Sequence, residues 1–114
     1  MKLNYKINQS NADKFIGFLT LGILYCLENK IISIDEAEGF IFKPYLPDLL
    51  RKISSASELV NIIELGCELE DIESLKPERL PNNINDLFNQ TLSFIKNSKE
   101  IGRLVEKEII LTDE

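Results

Sequence analysis

The stretch FIGFLTLGILYCL, residues 15–27, decides the fold. It runs for 13 residues without a charge. A membrane-spanning helix needs about 20 predominantly apolar residues, so this run reads as a helix of a protein core. At about 100° per residue, Phe15, Ile16, Phe18, Leu19, Leu21, Ile23, Leu24, Tyr25 and Leu27 surround almost its whole circumference. A helix apolar on all sides is buried on all sides. The expectation is a central first helix with the others packed around it. Gly17 and Gly22 each cost roughly 1 kcal/mol of helix propensity against Ala. Close approach of a neighbouring helix is their expected compensation.

Upstream, Ser10 followed by Asp13 is a variant of the capping box and marks the start of this helix. Before it, KLNYKI (2–7) alternates, with Leu3, Tyr5 and Ile7 on one side and Lys2, Asn4 and Lys6 on the other. That is the period of a half-buried strand. Such a strand must pair with EIILT (108–112), pair with another chain, or not form.

Downstream, Ser33 with Glu36 is a capping box, and Asp35 and Glu36 suit the positive end of a helix dipole. Pro44 is expected to end that second helix. Pro47 suits the first turn of a short third one, PDLLRKI. Ser55 with Glu58 opens a fourth, on which Ile62, Leu65, Leu69 and Ile72 form one apolar stripe. Gly66 could end this helix early, but the stripe keeps its phase, which favours continuity. Pro77 and Pro81 bracket a connector. A fifth helix follows, capped by Asn82 or Asn83, with Ile84, Leu87, Phe88, Leu92 and Ile95 as its stripe. Residues 98–109 either continue it or bend away at Gly102. These readings give a mainly α single domain, residues 1–114, of about five helices around a buried first helix, with a short N-terminal β-strand.

The charge is unevenly placed. The chain of 114 residues carries a net charge of -6. Between Ile53 and Leu75 stand Glu58, Glu64, Glu68, Glu70, Asp71 and Glu73, uninterrupted by Lys or Arg. The rest of the chain balances. On one helix Glu64, Glu68 and Asp71 share a face, with Glu70 and Glu73 flanking the apolar stripe from the other direction. Like charges at i,i+4 cost roughly 0.2–0.5 kcal/mol per pair. A charged face is most often only solvated. The functional alternative is a ridge that steers and docks a basic partner. Glu64, Glu68, Glu70, Asp71 and Glu73 are therefore the candidate contact residues. Asp35, Glu36 and Glu38 form a second candidate group, for which helix-dipole compensation is the simpler account.

Nucleic acid and anionic membranes are not expected partners, because both reward clusters of Lys and Arg. The chain has no histidine, which removes the commonest general base and metal ligand. It shows no phosphate loop, dinucleotide fingerprint or calcium-loop spacing. No catalytic residue, metal or cofactor is expected. Carboxylate chemistry would require Glu28, Asp35, Glu36 or Glu38 to meet the acidic helix in space. Cys26 lies in the apolar run and reads as a free buried thiol. The polar start MKLNYKINQSNADK lacks the pattern of a secretory signal, so a cytoplasmic location is expected.

The stretches ISIDEAEGFIFKPYLPDLL (32–50) and IIELGCELEDIESLKPERL (62–80) resemble a family of short bacterial proteins of uncharacterised function. The chain also resembles the helical immunity proteins encoded beside contact-dependent and other polymorphic toxins. That resemblance implies a non-enzymatic protein that binds one cognate toxin tightly. Many such toxins are basic nucleases, including RNases of the EndoU type. The rival expectations are a small cytoplasmic adaptor, self-associating through its N-terminal strand, and a carboxylate-based hydrolase.

Overall fold

The computed structural model describes residues 1–113, and its core is built on helices joined by short turns. Strand β1 (Lys2–Ile7) leads into α1 (Gln9–Glu28), followed by α2 (Ile34–Phe40) and α3 (Leu46–Lys52). Then come α4 (Ser57–Cys67), α5 (Leu69–Leu75), a 3-10 turn at Pro77–Arg79, α6 (Leu80–Lys96) and β2 (Lys107–Thr112). Counted with α4 and α5 as one bent helix, the five expected helices are present. None is long and apolar enough to cross a membrane.

β1 pairs antiparallel with β2, placing Leu3 opposite Leu111, Tyr5 opposite Ile109 and Ile7 opposite Lys107. Of the three fates open to the first strand, pairing with the C-terminal segment is the one adopted. Residues 98–109 thus do not extend the last helix. The chain turns beyond Ser98, and the two ends of the sequence close into a ribbon.

The first helix departs from all-round burial. Gly17, Thr20, Leu24 and Leu27 face the core, while Phe18, Leu19 and Tyr25 are about half exposed or close to it. The helix is flanked on one side by α6, its most extensive neighbour, and not ringed by helices. Of its two glycines, Gly17 faces Phe94 and Ile95 at 3.3 Å, the expected close approach. Gly22 faces open space. The deeper element is α4, which buries Leu59, Val60, Ile62, Ile63 and Gly66. It contacts both α3 and α6. The hydroxyls of Thr20 and Thr91 are fully buried but satisfied, donating to the carbonyls of Ile16 and Leu87 at 2.7 and 2.8 Å.

The capping signals divide. Ser33 caps α2 as expected, its Oγ accepting the Glu36 N–H at 3.0 Å. Ser10 and Asp13 do not form a box on their own helix. Asp13 instead reaches across to accept the Ala56 N–H at 2.8 Å, at the start of α4. Ser55 makes no cap bond, and α4 opens from Ala56. The last helix starts at Leu80, with Pro81 in its first turn, before either Asn82 or Asn83. α2 ends at Phe40, ahead of Pro44, because Ile41 and Phe42 turn into the core.

Two helix ends carry a sequence-invisible device. After α1, Lys30 takes φ 57, with Lys30 N–H donating to Leu27 O and Ile31 N–H to Cys26 O. After α3, Ser54 takes φ 56, with Ser54 N–H donating to Arg51 O and Ser55 N–H to Leu50 O. Both are Schellman motifs, built without the glycine that usually occupies the left-handed position.

Candidate partner-docking surface

The acidic stretch lies on two helical pieces, so continuity across it does not hold. The stripe expectation does: Ile62 and Leu69 are buried, and Leu65 and Ile72 pack against the core. The bend falls at Glu68, whose N–H donates to Leu65 O at 3.1 Å, three residues back instead of four. Gly66 lies just before it because the ring of Phe42 fills the place where a Cβ would stand.

Bending fans the carboxylates apart. Glu64 turns to α3 and accepts from Arg51 at 3.0 Å, while the same guanidinium holds Asp48 at 2.9 Å. Glu68 borders a shallow cavity of about 190 Å³ beside Asn83 and Asp86 of α6. Glu73 lies on the rim of a different cavity of about 310 Å³, with Glu28, Lys30 and apolar walls from Ile32 and Ile84. Glu70 and Asp71 face α2. All five expected contact residues are exposed. Among the described residues, no ion pair reaches Glu68, Glu70, Asp71 or Glu73.

Packing of α2 against α5 adds what sequence order does not suggest. The carboxyl of half-buried Glu38 has its pKa pushed up, first by burial, then by a hydrogen bond with Glu70 and the charges of Glu70, Asp35 and Asp71. Two carboxyl groups can share a hydrogen bond only with a proton between them, so the contact itself favours protonation. The second candidate group therefore merges with the first through Asp35 and Glu38. Glu36 stays apart, its place explained by the α2 N-terminus. On the α4 side, half-buried Cys67 has its thiol pushed up by burial and then by Glu38, Glu64 and Glu68. Cys67 thus reports one field that spans α2, α4 and the bend. Both cysteines are free, and a raised thiol pKa makes Cys67 a poor nucleophile.

The result is a surface of Asp35, Glu38, Glu64, Glu68, Glu70 and Asp71, with Glu73 at its margin. Among the described residues, no three Cys, Asp or Glu side chains form a group arranged to hold a metal ion. Attraction to these carboxylates offsets part of the cost of desolvating a cation brought to the surface.

The family described as Protein of unknown function (DUF3969) matches residues 7–110 of this chain. The chain belongs to that family. The match runs from the end of β1 through all six α-helices of this DUF3969 member and most of β2, so the whole acidic surface lies within it. No curated protein and no solved structure matches the chain.

Proposed function

We propose that this DUF3969 protein is an immunity protein that binds and neutralises a cognate bacterial toxin domain in the cytoplasm. The partner is a basic nuclease, an RNase of the EndoU type being one fitting class. The surface on α2 and α5 covers its cationic cleft and competes with substrate phosphates. The observation that carries this reading is the packing of α2 against α5, which brings Glu38 and Asp35 to the side of Glu70 and Asp71. Carboxylates drawn from two separate helices are held together at a cost in electrostatic repulsion, without a lysine or arginine of the chain pairing Glu70 or Asp71 among the described residues. Cationic side chains of a partner would convert that repulsion into attraction and speed encounter by roughly 10–1000-fold at low salt.

The test starts from the neighbouring gene, which this reading expects to encode a toxin with a basic C-terminal domain, and proceeds by co-expression of that domain with the chain. Co-purification as a stable complex, with loss of nuclease activity in the complex, is the expected result. A toxin domain that neither co-purifies nor loses activity would remove the proposal. The competing reading, a small adaptor without a toxin, draws support from the open apolar face of α1. It predicts that no toxin domain is captured, whatever the oligomeric state of the chain.

A further inference from the structure

A second surface has the opposite character. On the ribbon, Leu3, Tyr5, Ile109 and Leu111 lie on one face in two directly opposed pairs. Tyr5 stacks on Phe15 of α1, with ring centroids 4.2 Å apart and planes 16° from parallel. The ribbon face therefore runs into the outer face of α1, where Phe18, Leu19 and Tyr25 follow at helical spacing. A groove of about 340 Å³, walled by Tyr5, Phe15, Phe18 and Ile101, marks the junction. Leu3, Tyr5, Phe18, Leu19, Tyr25, Ile109 and Leu111 are each between 40% and 72% exposed. At areas on the order of 150–250 Å² for side chains of this size, they leave roughly 600–700 Å² in water, most of it apolar. The largest apolar patch of an ordinary monomer is about 300–600 Å². A standard interface takes about 800 Å² from each partner.

We propose that this face is where two copies of the chain meet, in a two-fold symmetric dimer. Area supports it, since the patch is close to what a stable dimer needs. Charge selects the second copy as occupant. The surplus negative charge of the molecule stands on the α2–α5 side, whereas the groove here carries Lys14 and Lys107 against Glu100. A cationic toxin finds no complement where lysine is in surplus, whereas in a two-fold pair the Glu100 of each copy is available to a lysine of the other. A two-stranded ribbon is also marginal in water on its own, and this one gains a second apolar layer when its face is covered. The inference stands apart from the toxin reading and survives its failure.

The test is sedimentation velocity on the full chain from low to high micromolar concentration, with Phe18→Glu on α1 and Ile109→Lys on β2 as variants. A dimer is expected. Symmetry removes each side chain twice, so either substitution should weaken dimerisation by about a hundredfold or more. Circular dichroism should be unchanged, because both side chains are exposed in the protomer. Wild-type amide exchange gives a reading that needs no variant: residues 2–7 and 107–112 gain protection as concentration rises. A wild-type chain monomeric throughout, or a dimer that neither substitution weakens, overturns the proposal.

Discussion

Gly66 is the position at which this molecule tolerates least. Any Cβ there enters the ring of Phe42, which is itself buried and has no room to retreat. Gly66→Ala should destabilise by roughly 1–3 kcal/mol, the usual range for forcing volume into a packed core. Thermal unfolding would show it as a Tm lowered by at least about 4 °C. Lys30 and Ser54 are the reverse case. Each holds a left-handed φ that an L side chain adopts at a cost of about 1–2 kcal/mol. Lys30→Gly or Ser54→Gly should raise stability by roughly 1 kcal/mol in denaturant titration, the relief of that strain outweighing glycine's greater freedom in the unfolded chain. Sequence reading singled out Gly17, Gly22 and Gly66 by type but could not sort them. A glycine's role depends on what approaches from elsewhere in the chain, and that information lies in Phe94 and Phe42, not in the neighbouring residues.

Among the elements, periodicity carried far and termini did not. The apolar stripe of 62–72 was legible because helical phase is a local property. The break at Glu68 was not, since the apolar phase runs through it unchanged and only the backbone bond from Glu68 N–H to Leu65 O marks it. Asp13 shows the same limit. Its spacing from Ser10 mimics a box on its own helix, yet its carboxylate caps α4. Asp13→Ala should therefore cost about 0.5–2 kcal/mol, the value of a lost N-cap. Native-state amide exchange should locate the loss at the start of α4 as well as α1. The α2–α5 contact makes its own prediction. The raised pKa of Glu38 means that the folded state holds this proton more tightly than the unfolded chain. The stabilising contribution is complete below the unfolded carboxylate pKa and disappears as pH rises through the folded one. At neutral pH the charge is a small liability. Glu38→Gln should be more stable than wild type at pH 7 by roughly 0.2–0.5 kcal/mol, the size of a surface like-charge pair. Urea titrations at acid pH, where wild-type Glu38 is already protonated, should show the difference vanish.

For the whole molecule, two faces of different chemistry share one small helical frame. The mainly α class with its N-terminal strand followed from pattern alone. The all-round apolar first helix misled in one respect: an uncharged circumference signals burial, yet Phe18, Leu19 and Tyr25 stand about half exposed on its outer face. The acidic surplus was equally legible as a local run. Its enlargement by Asp35 and Glu38 was not, because it depends on the long-range packing of α2 on α5. The proposed immunity role requires this enlarged surface to meet a cationic partner. Its most direct test is the affinity for the basic toxin domain as a function of salt, for wild type and for Glu70→Lys with Asp71→Lys. Wild-type binding should weaken steeply with salt, and the double reversal should both lower affinity at low salt and flatten the dependence. Equal affinities with parallel salt dependence in the two proteins would contradict it.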